Sequence, residues 1–162
     1  MKFLLKLLLF KLVIILLIKD VNSESYATSM ECLVEAIYFE ARSESFSGQL
    51  AVATVILNRV KSTIFPNTIC KVVKEGIYYE GHPVRHQCSF SYYCDGKPET
   101  MRDLDAMFNA EEIAFFVMNG GRLDGLERSL YYHAVYVNPA WNKSYQRLMQ
   151  IDNHIFYGEE NE

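Results

Sequence analysis

The segment from Glu35 to Glu44 places an acidic side chain where it could transfer a proton. Its sequence is Glu-Ala-Ile-Tyr-Phe-Glu-Ala-Arg-Ser-Glu, with Glu40 near the end of a predicted amphipathic helix. The aromatic pair Tyr38-Phe39 precedes Glu40, and apolar surroundings disfavour a carboxylate, which raises its pKa. Glu44, one turn later, is expected to add like-charge repulsion in the same direction. A carboxyl group that keeps its proton near neutral pH is the general acid that glycosidic bond cleavage requires.

Spacing alone leaves Glu40 with an ordinary alternative, because most glutamates on amphipathic helices are solvated surface groups. Glycosidases that use two carboxylates hold them about 5–5.5 Å apart for retention and about 6.5–9.5 Å apart for inversion. No second acid stands out as such a partner, since Glu80, Asp95 and Glu99 all fall in a predicted solvated loop. The sequence therefore predicts a single candidate acid.

The first 23 residues differ in composition from the rest of the 162-residue chain. They hold four lysines around two apolar runs, and no acid precedes Asp20. A cationic start, a short apolar stretch and small residues up to Ser23 are typical of a signal peptide. An uncleaved signal-anchor or an interfacial amphipathic helix is the alternative. We predict that residues 24–162 form one domain exported to the periplasm or the cell exterior, with membrane contact only through the N-terminal segment.

The charge of the exported part argues against nucleic acid as a partner. Without residues 1–23, the chain holds 12 basic and 19 acidic residues, a net charge near −7. Proteins that bind nucleic acid draw most of their affinity from basic patches, which this balance does not favour. The charge says nothing positive about the substrate.

The four cysteines offer either disulfides or metal ligands. An even number of cysteines in an exported chain favours disulfides, with three possible pairings. A metal site would add one or more of the four histidines, but no cysteine pair has the C-x₂₋₄-C spacing of zinc sites. We therefore predict disulfides, with the pairing open, and neither metal nor other cofactor. The cysteines are Cys32, Cys70, Cys88 and Cys94.

Apolar periodicity predicts a mainly helical α+β domain. Thr28 and Glu31 resemble a capping box that opens a helix over 29–42. Ser47 is a suitable N-cap for a second helix over 48–62, whose centre is apolar on nearly all sides. A short helix is predicted from Pro66 to about Gly76, followed by a loop with a possible short hairpin over 76–99. A long helix is predicted from Thr100 to about Phe116, before Gly120-Gly121. The last predicted elements are extended segments over Leu130–Val137 and His154–Tyr157.

Further sequence blocks follow the helix of Glu40 in order along the chain. They are Gly48–Ala53, Val55–Val60, Phe65–Val73, Cys88–Ser91 with Cys94–Gly96, Tyr132–Ala134 with Pro139–Trp141, and His154–Tyr157. Together with 35–44 they closely resemble the SleB/CwlJ-type cell-wall hydrolase family, over about residues 31–157. The paired cysteines around Phe90-Ser91 resemble the branch found in Gram-negative bacteria and their phages.

The resemblance implies a lysozyme-like fold, related to the soluble lytic transglycosylases. It also implies cleavage of the β-1,4 bond between N-acetylmuramic acid and N-acetylglucosamine in peptidoglycan, with Glu40 as the catalytic glutamate. A single acid suits a lytic transglycosylase, because the 6-hydroxyl of the muramic acid serves as the nucleophile. Four departures from the family's usual residues bear on subsite details and not on Glu40: Ser43, Ser89, Tyr131 and Asp152.

Several side chains are predicted to contact the glycan, because tyrosine rings stack on sugars while hydroxyl and imidazole groups bond sugar oxygens. Each also has a purely structural alternative, such as aromatic packing or a turn. The predicted substrate-binding residues are Phe90, Ser91, Tyr132, His133 and Glu44. Arg59, at the end of the second helix, is expected to tie helices together and to pair with Glu44 or Glu35.

Other functions remain open from the sequence. A hydrolytic muramidase would cleave the same bond. A zinc amidase or peptidase would need a ligand set such as H-E-x-x-H, which is absent. A thiol peptidase would lose its nucleophile to a disulfide, and a catalytically silent wall-binding module is the alternative outside enzymes. We expect a monomer whose partner is the peptidoglycan glycan strand, with phage lysis as one possible setting.

Overall fold

The computed structural model describes residues 24–159, so the predicted signal segment at 1–23 lies outside the described residues. The first helix, α1 (Tyr26–Ala41), begins because the Ser25 hydroxyl accepts a hydrogen bond from the Thr28 amide at 3.1 Å. The predicted capping box at Thr28 is therefore wrong, since Ser25 takes the capping role one turn earlier. The opposite end of α1 is where Glu40 lies.

The second helix, α2 (Phe46–Lys61), is the most buried helix, as predicted. Its cap is Ser45, whose hydroxyl accepts from the Gly48 amide at 3.2 Å, and not Ser47. Every residue from Gly48 to Ile56 is buried. A helix that is buried on all sides has to lie in the centre of the core, and α1 and a later helix pack against it.

A short helix and a hairpin follow α2. Thr68 caps α3 (Ile69–Val73), so this helix starts after the predicted Pro66 and is only five residues long. The segment predicted as a loop with a possible hairpin contains an antiparallel pair, β1 (Gly76–Tyr79) and β2 (His82–Cys88), and then a single 3₁₀ turn at Ser91–Cys94.

Two disulfides are present, as predicted, and the structure gives their pairing. Cys32 of α1 is bonded to Cys70 of α3, and Cys88 is bonded to Cys94 across the 3₁₀ turn. The first bond joins two helices, whereas the second closes a short loop beside the end of α1. Within residues 24–159, His, Cys, Asp and Glu side chains form no cluster able to hold a metal ion.

The long helix α4 (Leu104–Met118) is capped by Asp103 and starts at Leu104, four residues later than the predicted Thr100. The Tyr38 hydroxyl at the end of α1 accepts hydrogen bonds from the Arg102 and Asp103 amides, both at 3.1 Å. These bonds fix the start of α4 against the end of α1. Asn119 and Gly120 end the helix, close to the predicted Gly120-Gly121 stop.

The C-terminal part forms a three-stranded antiparallel sheet in the order β3-β5-β4. The two predicted extended segments correspond to β3 (Ser129–Ala134) and β5 (His154–Gly158), although β3 ends before the predicted Val137. A 3₁₀ turn at Ala140–Ser144 and strand β4 (Gln146–Ile151) were not predicted.

Side chains at the end of α2 attach this sheet to the helices. Asn58 Nδ2 donates to the Leu126 and Ser129 carbonyls at 2.7 and 3.0 Å, and Arg59 Nε donates to the Leu130 carbonyl at 2.7 Å. These bonds place β3 beside the end of α1. None of the helices between residues 24 and 159 has the length and apolarity needed to cross a membrane.

Candidate active site

Glu40 lies in the last turn of α1, half-buried, and faces the sheet. The Tyr132 hydroxyl on β3 donates a hydrogen bond to Glu40 Oε2 at 3.1 Å. The Tyr132 ring is held edge-on by His154 at 5.2 Å and lies 5.7 Å from Phe156, both on β5. Residues 92 positions apart in sequence thus meet because the end of α2 holds β3 against α1.

Burial raises the pKa of Glu40, in the direction predicted from sequence. The Tyr132 hydroxyl, the charge of Arg59 and the backbone amides of Ser91 and Tyr92 act against burial by favouring the carboxylate, and burial has the larger effect. After burial, the largest effects on this pKa come from these donors and from Arg59, and all of them favour the charged form. The site therefore holds one acid that is protonated more readily than usual, with donors ready to stabilise its charged form.

The Glu44 carboxylate makes hydrogen bonds away from Glu40. Its carboxylate accepts a hydrogen bond from the Asn153 amide at 3.0 Å and a weaker one from Asn153 Nδ2, in the turn between β4 and β5. Asp152, in the same turn, accepts from the Ser45 amide and hydroxyl at 2.8 and 2.6 Å. Glu44 thus connects the β4–β5 turn to the start of α2. The protein itself supplies these hydrogen-bond partners of the carboxylate, so a glycan is not needed to explain its position.

The loop closed by Cys88 and Cys94 contributes residues to both cavities. It carries the Ser91 and Tyr92 amides that act on Glu40, and the Tyr92 ring stacks on Phe39 at 4.9 Å. Burial and the nearby charges of Glu35 and Glu40 raise the pKa of Tyr92 far above its usual range, so its hydroxyl stays protonated. The same two causes, burial first and then Glu40, raise the pKa of Tyr132. Both phenols that act on Glu40 or are acted on by it consequently stay neutral.

Arg59 does not form the predicted pair with Glu44 or Glu35. It is 7% exposed, and its guanidinium lies over the rings of Phe65 at 4.9 Å and Phe90 at 5.3 Å. Burial lowers the pKa of Arg59, while the nearby Glu40 and Glu75 raise it. Arg59 therefore supplies a positive potential beneath the site without a direct ion pair.

Residues that contact Glu40 form walls of two cavities. One, of about 420 Å³, has a wall that includes Tyr132 and Arg59 together with the aromatic side chains of Phe65, Tyr131, Trp141 and Tyr145. The other, of about 300 Å³, is lined by Ser91, Tyr92, Phe39 and charged side chains that include Arg42 and Lys97. Each cavity thus has in its wall a residue that acts on Glu40, Tyr132 in the larger and Ser91 and Tyr92 in the smaller.

The remaining predicted contacts differ in how accessible they are. Ser91 is exposed and lines the smaller cavity. Phe90 is 1% exposed beneath Arg59, and His133 is 8% exposed with both ring nitrogens bonded, to the Ala134 carbonyl and the Tyr157 hydroxyl. Substrate contact at Phe90 and His133 stays a prediction that their burial does not favour.

The sequence analysis gave no substrate-binding role to Trp141 and Tyr145, which complete the aromatic wall of the larger cavity. Tyr131 and Tyr145 stack at 4.0 Å, and Trp141 lies 5.9 Å from Tyr131 and 6.1 Å from Tyr145. Trp141 is the only tryptophan of the chain, and its partial exposure beside stacked tyrosines is typical of sugar-binding surfaces. The clustering of aromatic residues between 131 and 145 was a signal that the sequence did carry.

Several known proteins are similar to this chain in sequence. The Cell Wall Hydrolase family profile matches residues 43–157, a segment that begins just after Glu40. The spore cortex-lytic enzyme of Bacillus subtilis is 32% identical over 129 residues, covering 76% of this chain and 35% of that protein. The spore cortex-lytic enzyme of Oceanobacillus iheyensis is 32% identical over 132 residues, covering 78% of this chain and 40% of that protein. This chain thus spans well under half the length of these curated relatives.

Two solved structures show the same fold. The catalytic domain of the Bacillus cereus SleB protein superposes with a TM-score of 0.62 at 28% identity, covering 84% of this chain and 93% of that one. The catalytic domain of the germination-specific lytic transglycosylase SleB from Bacillus anthracis gives a TM-score of 0.61 at 28% identity, covering 85% and 99% of the two chains. The predicted lysozyme-like α+β fold is confirmed. From its sequence match and its fold, the chain belongs to the cell wall hydrolase family.

Proposed function

We propose that this protein is a peptidoglycan lytic transglycosylase that cleaves the β-1,4 bond between N-acetylmuramic acid and N-acetylglucosamine. The observation that carries the proposal is Glu40, a half-buried acid with raised pKa that accepts a hydrogen bond from Tyr132 in the wall of the larger cavity. Membership of the cell wall hydrolase family and the lytic transglycosylase named for the Bacillus anthracis structure support it. We further propose that the enzyme acts outside the cytoplasm, where the wall lies.

In the first step, protonated Glu40 donates its proton to the glycosidic oxygen. The bond from the muramic acid C1 to that oxygen breaks, and the N-acetylglucosamine end leaves as an alcohol. Burial supplies the proton by raising the pKa of Glu40. The charged carboxylate that remains is stabilised by the Tyr132 hydroxyl, the Ser91 and Tyr92 amides and the Arg59 charge.

In the second step, the Glu40 carboxylate acts as a base. It takes the proton of the muramic acid 6-hydroxyl, and the freed oxygen bonds to C1 to close a 1,6-anhydro ring. Glu40 regains its proton, so the cycle needs neither water nor a second carboxylate. The largest influences on the Glu40 pKa besides burial are hydrogen-bond donors and Arg59, which fits a route in which Glu40 is both acid and base.

The product ends test the proposal. Purified glycan strands are digested in water enriched in ¹⁸O, and the fragments are separated and weighed by mass spectrometry. A transglycosylase gives 1,6-anhydromuramic ends that lack one water and carry no ¹⁸O. Reducing ends labelled with ¹⁸O would replace the proposal by a hydrolytic muramidase, and new free amino termini would indicate a peptidase. If the strands stay intact, the remaining interpretation is a wall-binding module without catalytic activity.

A further inference from the structure

The guanidinium of Arg59 has an unused hydrogen-bonding edge. Arg59 is 7% exposed, and its Nε donates to the Leu130 carbonyl at 2.7 Å. Its Nη1 atom is buried and has no hydrogen-bond partner in residues 24–159. Arginine carries five N–H donors in a fixed plane, and a buried donor without a partner costs free energy. A buried Nη1 donor without a partner would gain free energy from an acceptor supplied by a ligand.

The aromatic rings around Arg59 do not provide that acceptor. Phe65, Phe90 and Tyr131 lie 4.9, 5.3 and 6.0 Å from the guanidinium carbon. Ring faces attract a cation, but they accept no in-plane N–H bond at these distances. The charge is therefore partly stabilised while the hydrogen-bonding edge stays unsatisfied.

No carboxylate of the described chain neutralises Arg59 either. Glu40 and Glu75 act on it electrostatically, yet neither lies within the 4.0 Å of an ion pair among residues 24–159. The Glu75 carboxylate instead accepts from the Ser89 hydroxyl at 3.0 Å. Buried charges are normally paired, so an anion that reached this guanidinium would gain more than at a solvated arginine.

Arg59 lines the larger cavity beside Glu40, so a ligand in the active site has a route to it. The cavity of about 420 Å³ also has Tyr132 in its wall, and Tyr132 bonds to Glu40. Its other aromatic walls, among them Trp141 and Tyr145, offer surfaces on which a sugar ring can stack. A group bound there would belong to a sugar close to the bond being cleaved.

We propose that this cavity is a subsite for a muramic acid unit carrying a carboxylate, which Arg59 binds through its free guanidinium edge. The proposal rests on the proposed function, because it takes the glycan strand to be the substrate. Two parts of the wall supply such a carboxylate. One is the free lactyl group of muramic acid from which the stem peptide has been removed, and the other is the stem peptide itself.

Three strands prepared from one batch of wall test the proposal on the unmodified protein. The first keeps its stem peptides, the second is treated with an amidase that leaves free lactyl carboxylates, and the third is the second after conversion of those carboxylates to neutral methylamides. We expect KM to be at least about tenfold lower for one or both carboxylate strands than for the neutral strand. The strand with the lower KM identifies the source of the carboxylate. Equal KM values for all three would overturn the proposal.

An Arg59→Met variant then assigns the preference to Arg59. Methionine keeps the apolar stem and removes the charge, so the KM ratio should fall to about one if the variant melts like a folded protein. Arg147→Met is the matched control, because Arg147 is exposed on β4 and bonds to Gln150. A preference retained in a folded Arg59→Met protein, or lost equally in Arg147→Met, would contradict the assignment. Failure to cleave any strand would count against the proposed function instead.

Discussion

Replacing Tyr132 by phenylalanine removes one hydroxyl and leaves the ring in place. The hydroxyl lies 3.1 Å from Glu40 Oε2, and the ring contacts with His154 and Phe156 do not involve it. Its hydrogen bond favours the carboxylate over the protonated acid, against the effect of burial. The substitution should therefore raise the pKa of Glu40 further.

The size of the shift follows from the bond. A hydrogen bond to a charged acceptor contributes about 1.5–3 kcal/mol, and one pKa unit corresponds to about 1.4 kcal/mol. Water or the neighbouring Ser91 and Tyr92 amides would recover part of the loss, so we expect the pKa of Glu40 to rise by about one unit.

The pH dependence of kcat/KM measures this pKa in the free enzyme. Glu40 must be protonated to start the reaction, so activity falls as pH rises through its pKa. In Tyr132→Phe this falling limb should move to higher pH by about one unit. Activity on the acidic side should drop as well, because the carboxylate left after proton transfer has lost a donor.

Stability gives a second readout with a defined sign. A carboxyl whose pKa is raised on folding binds protons more tightly in the folded state, so its contribution to stability declines as pH rises from the unfolded to the folded pKa. Tyr132→Phe should extend that decline to higher pH, so the substitution should cost more unfolding free energy at pH 8 than at pH 4.

A matched control separates this effect from damage to the sheet. Tyr157→Phe removes a hydroxyl that bonds His133 Nε2 at 2.9 Å, in the same sheet but without contact to Glu40. Tyr157→Phe should leave the falling limb of the kcat/KM profile at the same pH as in the unmodified enzyme. The reasoning is refuted if Tyr132→Phe leaves the limb unmoved or shifts it to lower pH, or if Tyr157→Phe shifts it equally.

The two disulfides should separate stability from activity. The bonded cysteines are 38 residues apart in the first disulfide and 6 in the second. By loop-closure entropy, replacing Cys32 and Cys70 by serine should therefore lower the free energy of unfolding by about 4 kcal/mol, and replacing Cys88 and Cys94 should lower it by about 2 kcal/mol. Replacing the second pair should nonetheless lower kcat more in folded protein, because its loop carries the amides that act on Glu40. Denaturant unfolding and kcat are measured for both variants. A larger kcat loss in the Cys32 and Cys70 variant would contradict this prediction. Tyr38→Phe removes the hydroxyl that accepts hydrogen bonds from two backbone amides. It should lower the free energy of unfolding in urea by about 1–3 kcal/mol and leave the pH dependence of kcat/KM unchanged. A shifted pH dependence would show that Tyr38 acts on the chemistry.

The sequence predicted elements better than it predicted their ends. Two hydroxyl residues near each helix start were equally suitable caps on local grounds, and the structure uses Ser25 and Ser45. The choice depends on which register buries the apolar face and on distant partners such as Asp152, which binds Ser45. Strand β4 was missed because its exposed positions carry Gln146, Arg147 and Gln150, so its apolar pattern is weak.

The candidate site was predicted only in part, for a similar reason. Glu40 was predicted as the acid from the family resemblance, and the raised pKa expected from its aromatic neighbours on the same helix is present. Tyr132 was predicted to contact the substrate, but it bonds to Glu40 across 92 positions of sequence, a contact set by how α2 holds β3. The burial of Arg59 likewise depends on rings from three separate segments, which spacing along the chain does not reveal.

Glu40→Gln, compared with Glu35→Gln, tests the central claim most directly. Both glutamates lie on α1 and burial raises the pKa of both, but Glu40 alone bonds Tyr132. The account predicts that Glu40→Gln releases anhydromuramic ends about 10²–10⁴-fold more slowly than the unmodified enzyme while melting at least as high. Glu35→Gln should keep most of the activity. Near-normal release of these ends by a folded Glu40→Gln protein, or an equal loss in Glu35→Gln, would contradict the account.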